Sequence, residues 1–189
     1  MPAANRVRII GGRFRGRVLR FPSAAGLRPT PDRVRETLFN WLGQDLSGLA
    51  TLDLYAGSGA LSLEALSRGA AKVVAIDRNP ALVHALVATA KAFGAEGLEA
   101  HATDAATWLE SERRNFDVIF LDPPFADDPW AWLLATCAAR LTGPGRIYAE
   151  AAKALVAPRS LRLRRHGRAG QVHYHLFERV PDEAGQPAG

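Results

Sequence analysis

From residue 51 onward the chain repeats one unit: a short apolar run, a loop, then an apolar stretch at helical spacing. Residues 51–54 lead through a glycine loop into 60–67, 72–76 into 80–93, 98–102 into 105–111, and 116–121 into 129–140. A fifth apolar run, 145–149, follows. Alternating strands and helices specify a mostly parallel, twisted sheet with helices on both faces. The order breaks at the end, where 161–165 and 171–179 are joined by the turn-forming His166-Gly167-Arg168-Ala169-Gly170. That segment predicts an antiparallel hairpin at the sheet edge, giving seven strands.

In such a sheet, ligands bind outside the carboxyl ends of the strands, where strand order reverses. The informative loops therefore share one rim. After the first strand comes Asp53-Leu54-Tyr55-Ala56-Gly57-Ser58-Gly59, in which Gly57 and Gly59 let the backbone approach a ligand closely. After the second comes Asp77, twenty positions beyond Gly57, a spacing that suits a carboxylate accepting from ribose hydroxyls. Asp104 follows the third strand, where it can accept from an adenine amino group or cap the next helix, and Asp122 follows the fourth. Ser62 stands where a dinucleotide fingerprint wants its third glycine, and Asp53 would repel a pyrophosphate. The loop suits a cationic nucleoside better, and S-adenosylmethionine, with a sulfonium and an ammonium group, is the expected cofactor.

Asp122-Pro123-Pro124-Phe125 leaves the fourth strand with two prolines that fix the backbone in one stiff shape. A planar base can stack on Phe125 while its amino hydrogens point at the Asp122 carboxylate and the Pro123 carbonyl. Taken alone, the tetrapeptide is equally a rigid turn capped by Asp122. Its company on the rim favours an amine-binding loop.

Upstream, residues 6–21 read as a small β-hairpin whose tip, Gly11-Gly12-Arg13-Phe14-Arg15-Gly16-Arg17, alternates arginine with other residues. In an extended ribbon Arg13, Arg15 and Arg17 share one face and track phosphates. Thr30 as N-cap and Pro31 as first helical residue then open an amphipathic helix that packs Val34, Leu38, Trp41 and Leu42 on the core.

The net charge of +5 is unevenly spread. Residues 1–42 hold nine arginines against Asp32 and Glu36, residues 43–157 carry five more acids than bases, and residues 158–180 hold six arginines against Glu178. An acidic body between arginine-rich ends fits presentation of a catalytic centre to a polyanion. The single cysteine, Cys137, sits in an apolar helical stretch and provides neither a disulfide nor a metal cluster. His84, His101, His166, His173 and His175 lack metal-ligand spacing and read as surface or edge-strand residues. No metal is expected. At 189 residues, with no apolar h-region near the start and no membrane-length apolar run, the chain is expected to be a soluble cytoplasmic monomer. The boundaries are an N-terminal extension at 1–26, a catalytic domain at 27–180 and a disordered tail at 181–189.

Four segments occur together in order: the run from Arg28-Pro29-Thr30-Pro31-Asp32-Arg33 to Trp41-Leu42, Asp53 to Leu61, Glu64-Ala65-Leu66-Ser67-Arg68-Gly69-Ala70, and Asp122-Pro123-Pro124-Phe125. In these the chain resembles the RsmD family of bacterial small-subunit rRNA guanine-N2 methyltransferases. The resemblance implies a class I S-adenosylmethionine-dependent, Rossmann-like fold with an N-terminal β-hairpin, and one guanine of 16S rRNA in an assembling small subunit as substrate. Asp122, Pro123 and Phe125 would then be catalytic; Asp53, Tyr55, Gly57, Gly59, Asp77 and Asp104 would hold the cofactor; Arg13, Arg15, Arg17, Arg28 and Arg33 would hold RNA. The tetrapeptide does not itself choose guanine over adenine. An adenine-N6 methyltransferase and a catalytically inactive rRNA-binding factor remain alternatives.

Overall fold

The computed structural model describes residues 5–27, 29–124 and 128–181. Two short strands, β1 (Asn5–Arg8) and β2 (Val18–Phe21), pair antiparallel with Asn5 opposite Phe21. After α1 (Asp32–Leu42) come β3 (Ala50–Asp53), α2 (Ala60–Ser67), β4 (Lys72–Asp77), α3 (Pro80–Phe93), β5 (Leu98–Ala102), α4 (Ala105–Ser111), β6 (Phe116–Leu121), α5 (Trp130–Ala138), β7 (Leu141–Ala151), β8 (Leu161–Ala169) and β9 (Val172–Arg179). The main sheet has seven strands in the order β5-β4-β3-β6-β7-β9-β8. The five strands from β5 to β7 are parallel, and β9 runs antiparallel to both neighbours. Strand order reverses between β3 and β6, which puts the switch point, where ligands of such sheets bind, at the carboxyl ends of these two strands.

The sheet separates two apolar cores. One is filled by the hairpin and by α1, α2 and α3 packing on Val73, Ala75, Val118, Phe120 and Tyr148. The other is filled by α4 and α5 packing on Leu52, Val74, Ile119 and Ile147. Cys137 is buried in the second, and burial pushes its thiol pKa up, which leaves it an inert core residue. Among the described residues no helix is long and apolar enough to cross a membrane.

The hairpin is attached through α2. Glu64, fully buried, accepts from the backbone N–H of Ile10 at 3.0 Å and of Gly11 at 2.8 Å. The same carboxylate pairs with Arg68 at 2.9 Å and with Arg35 of α1 at 3.3 Å. Arg35 is itself wholly buried and also donates to the carbonyls of Thr30 and Arg8 and to Asp32. The close approach explains the two glycines. A Cβ on Gly12 would lie 1.9 Å from the Ser67 carbonyl oxygen, and one on Gly11 would meet the Arg68 guanidinium at 2.2 Å.

Several local expectations change. Residues 11–16 form bends and turns rather than an extended ribbon, because the N–H groups of Arg13 and Phe14 bond the Ser67 carbonyl and hydroxyl. Thr30 is not an N-cap: Pro31 takes that position, and the Thr30 hydroxyl donates to Glu150. β7 runs from Leu141 to Ala151, starting four residues before the apolar run 145–149, with Gly143-Pro144-Gly145 absorbed as a bulge against β6. Residues 166–169 continue β8, so the closing turn is shorter than its sequence suggests. His175 is buried, not a surface residue; it accepts the Leu155 N–H at Nε2 and donates to the Ala149 carbonyl from Nδ1. Burial first, and then neighbouring positive charge, lowers its pKa to about 4.

Glu64→Ala would leave Arg35 and Arg68 buried without their shared carboxylate and two hairpin amides unbonded. We expect a loss of about 3–5 kcal/mol in urea denaturation, with residues 5–21 becoming the first protease-sensitive segment. Wild-type stability in that variant would disprove the anchoring role.

Candidate active site at the carboxylate rim

Parallel register aligns three carboxylates. Asp53 ends β3 opposite Phe120, Leu121 pairs with Ala149, and the next residues on β6 and β7 are Asp122 and Glu150. Alternation along the strands turns Asp53, Asp122 and Glu150 to the same face, with Asp53 level with Phe120 and Tyr148 and one step below Asp122 and Glu150. Asp53 accepts from the Ser62 hydroxyl at 2.6 Å and also from the Tyr55 and Ser62 backbones. Glu150 accepts from the Thr30 hydroxyl at 2.8 Å and the Tyr148 hydroxyl at 2.9 Å, both on Oε1. Asp122 keeps part of its surface accessible, while Pro123 is buried and Pro124 exposed.

Dehydration dominates the electrostatics. Burial raises the Asp53 pKa to about 7, against the lowering effect of Ser62. Asp122 is raised well above its ordinary value, first by its dense surroundings and then by the negative charge of Glu150 and Asp53. Glu150 is raised by burial, partly offset by Thr30 and Tyr148. Three acids that resist ionising together form a site suited to a positively charged ligand.

Across the switch point lies the glycine loop. Gly57 (φ +51°) donates its N–H to Asp77 at 2.8 Å, and the other Asp77 oxygen accepts from Asn79 at 2.8 Å. Gly59 (φ +78°) opens α2 where a Cβ would lie 2.5 Å from Leu86, so only glycine lets α3 pack this closely. Tyr55 is half-buried against the second core. Asp104 is exposed and accepts from Ala106 and Thr107 through Oδ1, the helix-cap geometry. The strand ends thus bring Asp53, Tyr55, Gly57, Gly59, Asp77 and Asp122 to one rim of the sheet, with Asp104 just beyond the end of the adjoining β5. Phe125 and Arg28 lie outside the described residues, as does the tail beyond Pro181.

The hairpin arginines sit apart from the rim. Arg17 donates to the carbonyls of Phe93 and Ala92 at 3.0 and 2.8 Å and stacks on Phe93; Arg13 reaches the Gly94 carbonyl at 3.5 Å. Both therefore close the C-terminus of α3. Arg15 and Arg33 are exposed. A surface groove of about 440 Å³ beside Arg13, Gly69 and Gly97 lies at the amino ends of β4 and β5, away from the carboxylates.

Sequence reasoning misses Glu150, Tyr148, Thr30 and the partnership of Ser62 with Asp53. Glu150 follows the apolar run 145–149 directly, so the rule that selects a carboxylate after each strand would have found it. Among the described residues no group of histidine, cysteine and acidic side chains is arranged to hold a metal ion.

Because the folded state holds the Asp53 proton more tightly than the unfolded chain, stability falls as pH rises from the ordinary carboxylate range to about 7. Asp53→Asn keeps an acceptor for Ser62 and removes that charge. Relative to wild type the variant should gain stability between pH 5 and pH 8, by up to about 4 kcal/mol in urea denaturation. A pH-independent difference would show that Asp53 ionises freely.

The chain matches the family model described as Conserved hypothetical protein 95 over residues 7–178. Ribosomal RNA small subunit methyltransferase D of Escherichia coli strain K12 is 36% identical over 191 residues, which cover 93% of this chain and 91% of that one. A solved Escherichia coli protein, yhhF, described as a methyltransferase, has a TM-score of 0.85 at 37% identity, covering 94% of this chain and all of that one (100%). A Streptococcus mutans protein described as an S-adenosylmethionine-dependent methyltransferase shares the fold, with a TM-score of 0.73 at 15% identity over 94% of this chain and 56% of that one. The likeness extends from the hairpin to β9, and on that ground the chain belongs to the RsmD family and has the class I methyltransferase fold.

Proposed function

We propose that this protein transfers a methyl group from S-adenosylmethionine to the exocyclic N2 amine of a guanine in 16S rRNA, in the cytoplasm, on an assembling small ribosomal subunit. The observation that carries the reading is the position of Asp122-Pro123 at the end of β6, beside Asp53 and Glu150 and across the switch point from Gly57 and Asp77. The names of the relatives support the RNA and the subunit.

The residues fit the cofactor. Asp77 is oriented by two backbone N–H groups and keeps a further lone pair on each oxygen for ribose hydroxyls. Asp104 turns Oδ1 into α4 and offers Oδ2 to an adenine amine. Gly57 and Gly59 keep side chains out of the loop, with Tyr55 beside it. Asp53 lies beneath and supplies negative potential. Bound there, S-adenosylmethionine supplies an electrophilic methyl group carrying positive charge.

The remaining chemistry belongs to the chain. A guanine N2 lone pair is delocalised into the ring and must be turned toward the methyl group. The Asp122 carboxylate and the Pro123 carbonyl accept the two amine hydrogens, which aims the lone pair, and Phe125 stacks on the base. A raised pKa then makes Asp122 a competent acceptor for the proton the amine loses. The base has to leave its stack to reach this rim. Arg33 and Arg28 contact the phosphates near the target base, and Arg15, with the exposed edges of Arg13 and Arg17 at the end of α3, meets phosphates farther along the RNA.

Small subunits from a strain lacking this protein, incubated with methyl-labelled cofactor, should gain label in N2-methylguanine after nucleoside digestion. Asp122→Ala should reduce incorporation on the order of 10²–10⁴-fold while melting as a folded protein. Label in adenine would overturn the guanine assignment, and near-normal transfer by Asp122→Ala would overturn the role of that carboxylate.

A further inference from the structure

The face of β8 and β9 that covers α1 carries a second cluster of arginines, separate from the hairpin. Arg146, Arg164 and Arg165 line a cleft of about 100 Å³ with Trp41, Leu176 and Glu178. One carboxylate serves several cations here: Glu178 pairs with Arg162 at 3.2 Å and with Arg164 at 3.1 Å. The four arginines therefore leave a surplus of positive charge. Arg146 is held in place by donating to the Leu42 carbonyl at 3.1 Å, at the end of α1. Arg165 is exposed on the edge strand.

Aromatic surface adjoins the charge. Trp41 and Tyr174, both half-buried, have ring centroids 5.3 Å apart and planes tilted by 33°. Tyr174 lies across Gly167 of β8, where a Cβ would fall 2.4 Å from the phenol ring. A residue with a side chain would displace the ring, so Gly167 is what lets Tyr174 lie over the edge strand. Register ties this patch to the rim: Glu150 is opposite Tyr174, and Tyr174 is opposite Gly167. One further pair along, Leu176 faces Arg165. Register thus sets Tyr174 between Glu150 of the carboxylate site and Gly167 of the edge strand, one same-face pair away from the arginine cleft.

We propose that this face binds single-stranded RNA flanking the methylated nucleotide, with a base against Trp41 and Tyr174 and the following phosphates against Arg164, Arg165 and Arg146. The proposal rests on the RNA methyltransferase reading above. An aromatic pair beside a group of guanidiniums matches a base beside its phosphates, and planar stacking tolerates any base. The target guanine enters at Asp122, and the neighbouring strand leaves over β9.

The edge strand supplies its own control. Arg168 is exposed on β8 but pairs with His173, whose side chain points to the opposite face. Small subunits from a strain lacking this protein serve as the probe, with binding measured by filter retention across a salt series and cofactor binding measured by calorimetry. Arg165→Glu should weaken subunit binding at least about 10-fold, flatten the dependence of log K on log salt by about one phosphate's worth, and raise KM more than it lowers kcat. Arg168→Glu should stay within about twofold of wild type, and both variants should bind cofactor as wild type does. Equal losses in the two variants, or no loss in Arg165→Glu while the wild type methylates subunits, would overturn this surface and leave the methyltransferase reading standing. A wild type that neither binds nor methylates subunits would overturn both.

Discussion

The buried Glu64 carboxylate is the joint on which the arrangement of the site depends. It holds two hairpin amides, Arg35 of α1 and Arg68 at the end of α2. A buried carboxylate of this kind is tolerable only when its lone pairs are filled, and here five donors do so. Through Arg35 the joint fixes the Thr30 carbonyl, and the Thr30 hydroxyl in turn holds Glu150. α2, which carries Glu64, also presents Ser62 to Asp53. Two of the three rim carboxylates are thus oriented through elements that meet at one ion cluster.

The rim itself is built against local stability. Asp53, Asp122 and Glu150 each resist ionisation because they are dehydrated, and Asp122 also because Glu150 and Asp53 place negative charge beside it. Nothing in the packing of β3, β6 and β7 requires acids there; apolar residues of similar volume would fill the same layer without the cost. A cationic ligand relieves the mutual repulsion, and a substrate amine finds acceptors already in place. Preorganisation of this kind is how a site converts folding energy into orientation of reactants. Ser62, Thr30 and Tyr148 then supply hydrogen bonds that keep the acids oriented while uncharged or partly charged.

Much of the fold is legible in the sequence because its signals are local. Apolar runs of strand length, helical spacing and the glycine loop each sit within a few residues of the structure they specify, and the strand ends at Asp53, Asp77, Asp104 and Asp122 follow from them. What is not legible depends on contacts far apart in the chain. Thr30 looks like a helix cap until β7 brings Glu150 beside it, 120 positions later. Ser62 looks like a missing glycine until Asp53 accepts its hydroxyl. Gly11 and Gly12 look like part of a hairpin tip, yet they are small because the end of α2 passes against them. Residues 141–151 form one strand although only 145–149 stand out as an apolar run, since β6 bonds the chain on both sides of the bulge at Gly143-Pro144-Gly145.

Charge shows the same limit most clearly. The N-terminal arginines look like one population in the sequence, but their environments divide them. Arg35 is a core residue neutralised by Glu64 and Asp32, and Arg13 and Arg17 close a helix end. Clustering along the chain therefore overstates the positive surface contributed by the first 42 residues. The arginines of β8 are fewer, yet Arg162, Arg164 and Arg165 are all exposed, and Arg162 and Arg164 share the single Glu178 carboxylate of the cleft beside Trp41. Positive potential available to a polyanion depends on which guanidiniums remain hydrated and uncompensated, and by that criterion the edge of the sheet rivals the hairpin as the basic face of the molecule.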